Sequence, residues 1–236
     1  MKVVHIMGIG GSGASACAAI ANSLGYKVSG CDINPTEEFT TELKGTPIQK
    51  GHSPSHLTGV DILAITPAIL SLDPDNPELA EAKKRKIKIL TWQQFLGRSL
   101  TKDKFVIAIC GTHGKSTTTA MIGQILEDAG LDPTVILGAN VKRWGGNFRV
   151  GQTKYFIVEA DEFNDNYLSL TPEISVVTNI DFDHPEYFKN FLSYKRSFQN
   201  FLHNTKKVII TNLEDPSVSE VLALHPGGVK LNFKIS

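Results

Sequence analysis

The sequence predicts an α/β protein with two parallel-sheet domains. Short apolar runs alternate with longer helical patterns through all 236 residues, which is typical of parallel strands joined by helices. Each half of the chain opens with an apolar run, a glycine-rich turn and a helical pattern. The segment 97–104 between the halves is polar, so we predict one domain at 1–98 and a second at 99–236.

The elements of the first half follow from apolar runs that are bounded by turn residues. We predict strands at 2–7, 26–31, 60–66 and 87–90, and helices at 13–24 and 77–86. A glycine turn between the first strand and the first helix is typical of a Rossmann-like sheet. The first domain is therefore predicted to be Rossmann-like.

The second half repeats this alternation. We predict strands at 105–110, 134–138, 154–159, 174–179, 207–211 and 229–233, and helices at 115–129, 188–202 and 215–224. Gly130 stands where the C-cap glycine of a helix is expected. The second domain is therefore predicted to be another α/β unit.

Composition and charge exclude several classes of partner. Hydrophobic residues make up 41% of the chain, which is enough for globular cores. Lys plus Arg and Asp plus Glu are equal at 24 each, so we expect neither nucleic acid nor a membrane surface as the main partner. The first residues lack a secretory pattern and no apolar run has the length of a bilayer span. We expect a cytoplasmic protein without membrane insertion, and the sequence predicts no oligomeric state.

The cysteines are three in number and widely spaced. They are Cys17, Cys31 and Cys110, and none belongs to a C-x-x-C pair. This pattern indicates a reducing compartment. It predicts neither a disulfide framework nor a structural zinc site.

Residues 110–119, CGTHGKSTTT, are the most informative motif of the chain. They lie between an apolar run and a helical pattern, where unpaired amides and the helix dipole create an anion site. Lys115 is predicted to contact the β- and γ-phosphates of a bound polyphosphate, and the Ser116 hydroxyl to bind Mg²⁺. The other nucleotide-binding residues predicted in this loop are Gly111, Thr112, His113, Gly114 and Thr117.

This loop predicts that the second domain is a P-loop α/β ATPase domain. It is shorter than the G-x-x-x-x-G-K-[ST] pattern, because Ile109 stands where the first glycine is expected. The alternative is a chance Gly-Lys-Ser turn at the start of a solvated helix. The order of strand, glycines, lysine and hydroxyl favours a phosphate site.

Residues 8–13, GIGGSG, form a second glycine motif, which fits G-x-G-x-x-G. Asp32 ends the next predicted strand, where a carboxylate accepts a hydrogen bond from a ribose hydroxyl. The predicted ligand-binding residues of the loop are Gly8, Gly10, Gly11, Ser12 and Gly13. NAD would use the same groups, and a tight turn that binds nothing would also need glycines. A second phosphate loop follows in place of a hydride-transfer domain, which favours a nucleotide-diphosphate substrate over NAD.

Two candidate metal ligands follow predicted strands of the second domain. Glu159 comes after the apolar run 155–158, and His184 comes shortly after the run 174–180. Ligands collect at the carboxyl ends of parallel strands, so both side chains are expected beside Lys115. Glu159 is predicted to bind Mg²⁺ and His184 a second ion near the γ-phosphate. The alternatives are a carboxylate that caps a helix and a hydrogen-bonded loop histidine.

Together these motifs resemble the Mur ligases, the ATP-dependent amide-forming enzymes of peptidoglycan synthesis. The segments that carry the resemblance are HIMGIGGSG at 5–13, DNPE at 75–78, GTHGKSTTT at 111–119, EADE at 159–162 and TNIDFDHPEYF at 178–188. They follow the family's order over almost the whole chain, and the third and fifth are specific to it. Within the family they are most similar to the members that join L-alanine to UDP-N-acetylmuramate.

The resemblance implies a role for each matching residue. The 8–13 loop would bind the UDP part of UDP-N-acetylmuramate, and Lys115 with Ser116 would bind the ATP phosphates and Mg²⁺. Glu159 would hold one Mg²⁺ and His184 a second. The remaining matches are Asn140 near the γ-phosphate, Asn212 at adenine, and Asn147 with Arg149 in a loop that faces the sugar carboxylate.

Two features depart from the family's pattern. Several members carry a carbamylated lysine downstream of the metal-binding histidine, but residues 195–199, KRSFQ, place no lysine at the matching position, so none is predicted. The family also has a third domain, which binds the incoming amino acid, and this chain ends about where that domain begins. The chain alone is expected to bind nucleotides with little ligase activity.

The activity implied by the resemblance is ATP-dependent ligation of L-alanine to the lactyl carboxylate of UDP-N-acetylmuramate, through an acyl phosphate. Three alternatives stay open at this point. They are a recycling ligase of the same family that adds a preformed tripeptide, a nucleotide-binding module without catalysis, and an NAD-dependent oxidoreductase. The first alternative is poorly separated from ligation of L-alanine, because no residue of the chain is expected to recognise the amine.

Overall fold

The computed structural model describes residues 1–35, 37–41, 43–223 and 229–232. The first of two compact units comprises Met1–Leu100 and Asn140–Val150. The second comprises Thr101–Ala139 and the described part of Gly151–Ser236. The domain boundary between residues 98 and 99 stays a prediction, and the segment Asn140–Val150 groups with the first unit.

The first unit is built on a five-stranded parallel sheet. Its strands are β1 (Val3–Met7), β2 (Lys27–Asp32), β3 (Ile48–Lys50), β4 (Ile62–Ile65) and β5 (Lys88–Thr91). They lie in the order β3-β2-β1-β4-β5, and every neighbouring pair is parallel. The direction of the strand order reverses between β1 and β4, and α/β sheets bind ligands at the carboxyl ends of strands at such a point.

The helices of the first unit connect these strands. They are α1 (Ser12–Ser23), α2 (Glu37–Thr40), α3 (Pro67–Leu72), α4 (Pro77–Lys84) and α5 (Trp92–Phe95), with a 3₁₀ turn at Pro54–Leu57 and a π-helical turn at Leu96–Leu100. Helix α1 buries the small residues Ala14, Ala16 and Ala18, and β1 buries Val4 and Ile6. The glycine loop between β1 and α1 therefore has packed core on both sides.

A second, larger sheet has most of its strands in the second unit. Its strands are β6 (Phe105–Cys110), β7 (Thr134–Val141), β8 (Gly146–Arg149), β9 (Tyr155–Glu159), β10 (Ile174–Val177), β11 (Val208–Thr211) and β12 (Val229–Asn232). The order is β12-β11-β10-β6-β9-β7-β8, and β12 through β7 pair in parallel. The predicted α/β class is confirmed for both halves of the chain.

Three longer helices accompany this sheet. They are α6 (Lys115–Asp128), α7 (Phe191–His203) and α8 (Pro216–Ala223), with short 3₁₀ segments at Lys142–Trp144 and Phe163–Ser169. Helix α7 presents an aromatic face to the core, where the rings of Tyr167 and Phe201 stack with centroids 4.4 Å apart. Tyr194 and Phe198 on the same helix are fully buried. This packing fixes the position of the Tyr194 hydroxyl group, which belongs to the candidate site described below.

Several predicted elements differ from the structure at their ends. The helix predicted at 188–202 begins at Phe191, because Asn190 caps it by accepting from the Ser193 amide at 2.9 Å. The polar segment 97–104 is partly packed, since Leu100 in the π-helical turn is 1% exposed. The last residues of the predicted helix 215–224 and strand 229–233 lie outside the described residues.

The strands β3 and β8 were not expected from the sequence. Both are short, and neither forms an apolar run with the period of a strand. Strand β3 pairs with β2, and β8 lies next to β7 in the second sheet. Each forms because a neighbouring strand is present to pair with, rather than because of its own sequence. Among the described residues, no helix combines the length and the apolar character that crossing a bilayer requires.

Candidate functional site

The 110–119 motif lies on a strand, a turn and a helix in the predicted order. Strand β6 ends at the buried Cys110, and α6 starts at Lys115. The turn between them has two glycines with positive φ, Gly111 at +130° and Gly114 at +81°. Gly114 is the N-cap of α6, so the turn delivers Lys115 and Ser116 to the first turn of the helix.

Asn179 occupies two of the amides that were predicted to be free for phosphate. The Thr112 amide donates to the Asn179 carbonyl oxygen at 3.1 Å, and the His113 amide donates to its Oδ1 at 2.9 Å. Among the described residues, the amides of Gly114, Lys115 and Ser116 have no acceptor. The anion site is therefore smaller than predicted, and it is formed by the start of α6.

The Lys115 ammonium group is already bound by protein oxygens. Its Nζ donates to the carbonyl oxygens of Gly111 at 2.7 Å and Thr112 at 3.2 Å, and it pairs with Glu162 Oε1 at 3.0 Å. Tyr194 donates its hydroxyl proton to the same Glu162 oxygen at 3.1 Å. A bound phosphate would therefore compete with Glu162 for the Lys115 ammonium.

Glu162 is the residue of this site that sequence analysis missed. Its carboxyl group is fully buried, and its Oε2 has no hydrogen-bond partner among the described residues. Burial raises the pKa of Glu162 above its usual value, and the ion pair with Lys115 only partly offsets this effect. The acidic run after β9 was a visible signal, but it did not indicate which carboxylate faces the lysine.

Ser116 and Glu159 form a hydroxyl–carboxylate pair beside Lys115. Ser116 Oγ donates to Glu159 Oε2 at 2.8 Å, and the Gly138 amide donates to the same oxygen at 2.7 Å. Because the hydroxyl proton is directed at Glu159, the lone pairs of Ser116 Oγ stay available to a cation. Oε1 of Glu159 has no partner among the described residues. Hard oxygen donors of this kind suit Mg²⁺, so the residues present fit the predicted metal.

His184 does not contact this pair directly. It has φ +55°, and its Nδ1 lies 3.1 Å from Glu186 Oε1. The Phe163 ring lies beside it, with centroids 4.9 Å apart. Among the described contacts, none joins His184 to Ser116 or Glu159, so its role as a metal ligand stays a prediction.

The other predicted nucleotide-binding residues occupy separate places. Thr117 is exposed on the first turn of α6, and Asn140 is exposed near the end of β7. Asn212 follows β11, and its Oδ1 accepts from the Glu214 amide at 2.9 Å. The Asn212 side-chain nitrogen has no partner among the described residues. Their contacts with ATP stay predictions.

In the first unit, the 8–13 loop uses most of its own amides. Those of Gly8 and Ile9 donate to the Cys31 carbonyl oxygen at 2.8 and 3.3 Å, and that of Gly11 donates to the Gly8 oxygen at 3.2 Å. The Gly10 amide donates to Asp32 Oδ2 at 2.9 Å. Asp32 therefore holds the loop itself, in addition to its predicted contact with ribose.

The amides left for a ligand lie at the start of α1. Among the described residues, those of Ser12 and Gly13 have no acceptor. The Asn147 side chain, which is buried, donates from Nδ2 to the Ser12 carbonyl oxygen at 3.1 Å. Arg149 is half-buried on the same strand, β8. The structure thus brings Asn147 to the glycine loop, although the two are far apart in the sequence.

We predict that Gly13→Ala destabilises the first unit by about 1–2 kcal/mol. A Cβ at Gly13 would lie 2.5 Å from Trp92 Cζ2, so the Trp92 ring or α1 must move. Gly11→Ala is the matched control, since its nearest atom would be the Gly8 oxygen at 3.6 Å. Urea unfolding followed by tryptophan fluorescence measures both variants. Equal stability of the two variants would contradict the prediction.

Two family models match the chain. One is described as the Mur ligase middle domain and matches residues 109–230. The other is described as the Mur ligase family catalytic domain and matches residues 3–103. Together the matches include both glycine loops and the acidic residues that follow β9.

Individual relatives agree with the family models. A UDP-N-acetylmuramate–L-alanine ligase of Caldicellulosiruptor saccharolyticus is 43% identical over 226 residues, which cover 94% of this chain and 49% of that protein. The solved UDP-N-acetylmuramate–alanine ligase of Thermotoga maritima has a TM-score of 0.82 and 31% identity, and the match covers 100% of this chain and 53% of that one. The chain spans about half the length of the curated relatives it matches.

A second solved structure bears on the choice of amine. It is the UDP-N-acetylmuramate:L-alanyl-gamma-D-glutamyl-meso-diaminopimelate ligase from Neisseria meningitides. It has a TM-score of 0.86 and 26% identity, and the match covers 98% of this chain and 77% of that one. The same fold therefore serves ligases whose names differ in the group joined to UDP-N-acetylmuramate.

Proposed function

The chain belongs to the Mur ligase family, and from that membership we propose that the whole protein joins L-alanine to the lactyl carboxylate of UDP-N-acetylmuramate, using ATP. The observation that carries the proposal is the Ser116–Glu159 pair beside Lys115 at the start of α6. This arrangement suits the phosphates and cation of a bound nucleotide. The names of the relatives supply the substrates.

The proposed reaction has two steps. The substrate carboxylate attacks the γ-phosphorus of ATP, and ADP leaves, which gives an acyl phosphate. The amine of L-alanine then attacks the acyl carbon, phosphate leaves, and the nitrogen loses a proton to give the amide. Mg²⁺, when bound, would neutralise negative charge on the phosphates.

The residues proposed to bind ATP contribute positioning and charge. Lys115 would leave its contact with Glu162 and stabilise the transferring phosphoryl group. Ser116 and Glu159 would hold Mg²⁺, and His184 would hold a second ion. Asn140 would contact the γ-phosphate, and Asn212 would contact adenine.

The residues of the first unit would bind the UDP-sugar. The free amides of Ser12 and Gly13 would receive the diphosphate, because they lie at the start of a helix and have no protein acceptor. Asp32 would accept from a ribose hydroxyl while it holds the Gly10 amide. Asn147 and Arg149 would face the sugar carboxylate.

Calorimetric titration of this chain tests the proposal. We expect saturable binding of UDP-N-acetylmuramate, and separate binding of a non-hydrolysable ATP analogue that Mg²⁺ strengthens. Addition of L-alanine with ATP should release little ADP from the chain alone. Preference for NAD over the UDP-sugar would contradict the proposal and favour an oxidoreductase. Rapid alanine-dependent ADP release would contradict the expectation that this chain alone has little ligase activity.

The identity of the amine is tested with a form of the protein that has the full length of the curated relatives. We expect amide formation with L-alanine to exceed that with the tripeptide L-alanyl-γ-D-glutamyl-meso-diaminopimelate at equal concentration. The reverse preference would assign the protein to recycling. Nucleotide binding without turnover of either amine would assign a binding module.

We predict that Glu159→Gln lowers the affinity of the chain for the ATP analogue with Mg²⁺ by at least about tenfold. The amide is neutral and keeps the shape of the carboxylate, so the loss reports on charge at the cation. Affinity measured without Mg²⁺ should change much less. Glu220→Gln on α8 is the control, because that carboxylate is exposed and pairs with Lys195. If Mg²⁺ strengthened binding of the ATP analogue to Glu159→Gln as much as to the wild type, the role of Glu159 as a metal ligand would be contradicted.

A further inference from the structure

Four side chains of metal-binding types meet in the first unit. They are His5 on β1, Cys31 on β2, His56 in the 3₁₀ turn Pro54–Leu57, and Glu78 in the first turn of α4. One donor atom from each lies within 4.8 Å of the other three. The four residues are widely separated in the chain, which is why the cysteine spacing predicted no zinc site.

Glu78 lies at the centre of this His-Cys-His-Glu cluster. Its Oε1 is 3.0 Å from His5 Nε2, and its Oε2 is 3.1 Å from His56 Nδ1. The same Oε2 is 3.4 Å from Cys31 Sγ. Donors bound to one tetrahedral Zn²⁺ lie about 3.3–3.7 Å apart, given zinc bond lengths to nitrogen, oxygen and sulfur. The cluster therefore needs only small shifts to surround one ion.

The closest contact of the cluster joins His5 Nε2 and Glu78 Oε1, which lie 3.0 Å apart. Both side chains are fully buried, and neither His5 Nε2 nor Glu78 Oε1 has a hydrogen-bond partner among the described residues. Ser29 Oγ lies 2.8 Å from His5 Nδ1. When that hydroxyl accepts the Nδ1 proton, Nε2 turns its lone pair toward the carboxylate. In this tautomer two buried acceptors face each other at 3.0 Å, an arrangement that a cation between them stabilises.

Other groups hold the donors in place. The Ser53 amide donates to Glu78 Oε2 at 2.8 Å, and Asn76 caps α4 by accepting from the Glu78 amide at 3.0 Å. His52 Nδ1 lies 3.2 Å from Cys31 Sγ. Such contacts around the ligands orient them and are typical of protein metal sites.

We propose that the His-Cys-His-Glu cluster is a structural Zn²⁺ site. Nitrogen, sulfur and oxygen donors in this combination suit zinc, which accepts all three in tetrahedral geometry. Cys31 binds as the thiolate and releases its proton to solvent. The His56 side chain is 12% exposed, whereas the His5 and Glu78 side chains are completely buried, so the ion reaches the site past His56.

The proposed ion connects β1, β2 and α4. The Cys31 carbonyl oxygen accepts from the Gly8 amide at 2.8 Å, so a metal on Cys31 also supports the start of the 8–13 loop. Zinc should therefore raise the thermal stability of the first unit. It takes no part in the phosphoryl transfer proposed above, and the two proposals fail or hold independently.

Titration of the metal-free chain with Co²⁺ and then Zn²⁺ tests the site. We expect one Co²⁺ per chain, a thiolate-to-cobalt charge-transfer band in the near ultraviolet, and loss of that band when Zn²⁺ replaces cobalt. Cys31→Ser should lose the band. Cys17→Ser should keep it, because that buried thiol lies on α1 beside the Trp92 carbonyl oxygen. Zinc should raise the melting temperature of the wild type and of Cys17→Ser.

His56→Gln decides the question if Cys31→Ser folds poorly. His56 is the most exposed of the four ligands, and its loss should weaken cobalt affinity by at least about tenfold without unfolding the chain. Substoichiometric binding, a band that persists in Cys31→Ser, or unchanged affinity in His56→Gln would each overturn the proposal. In that event a proton shared by His5 and Glu78 supplies the positive charge.

Discussion

Replacing Lys115 with alanine is expected to slow amide formation by two to three orders of magnitude in a full-length form of the protein. This corresponds to about 3–4 kcal/mol, the usual effect of losing one preorganised charge that stabilises a transition state. The physical reason is the position of Lys115 at the start of α6, where its ammonium group reaches the phosphate site. Steady-state release of phosphate with L-alanine and UDP-N-acetylmuramate measures the effect.

Glu162 complicates this experiment, because Lys115→Ala leaves a buried carboxyl group without its cation. Breaking such a pair commonly destabilises a protein by about 3–5 kcal/mol. The raised pKa of Glu162 lessens the loss, since the group takes up a proton more readily than an ordinary glutamate. The double variant Lys115→Ala/Glu162→Gln removes the stranded charge, so it should recover stability but not activity.

Two controls complete the Lys115 experiment. Lys102→Ala removes an exposed lysine of the same unit and should keep the wild-type rate. Calorimetry should show that Lys115→Ala still binds UDP-N-acetylmuramate, because the proposed UDP-sugar site is in the first unit. Ligation near the wild-type rate in Lys115→Ala, or recovery of activity in the double variant, would show that Lys115 acts only on stability.

The second large effect is expected from Gly111→Ala, which should destabilise the second unit by about 3–5 kcal/mol. A Cβ at this position would lie 2.1 Å from Thr178 Oγ1 and 2.8 Å from the Asn179 carbonyl oxygen. The backbone of Gly111 also has φ +130°, which side chains disfavour. The turn must therefore separate from the end of β10, and the hydrogen bonds from the Thr112 and His113 amides to Asn179 would be lost with it.

Gly130→Ala is the matched control for Gly111→Ala. Gly130 also has a positive φ, +74°, but nothing lies within 4 Å of a Cβ built on it. Its substitution should cost only the backbone strain of a left-handed residue, about 1–2 kcal/mol. Urea unfolding of the two variants measures the difference, and binding of the ATP analogue should be weakened only by Gly111→Ala. Equal destabilisation would mean that the close approach to Thr178 is not what requires a glycine.

Much of the fold follows from local patterns in the sequence. The apolar run at 105–110 became β6, and the helical pattern at 115–129 became α6, because strand and helix periods are visible over neighbouring residues. The short strands β3 and β8 were not predicted, because they lack a visible strand period and form only by pairing with a neighbouring strand. The start of α7 at Phe191 depended on capping by Asn190 rather than on periodicity.

The sequence by itself determined the two strand–glycine turn–helix motifs and the residues in them that are predicted to bind phosphate. Only the tertiary structure decided which amides remain free, which carboxylate holds Lys115, and that His5 meets Glu78. The physical reason is distance along the chain. Asn179, Glu162 and Glu78 reach their partners through sheet order and core packing, which no local pattern encodes.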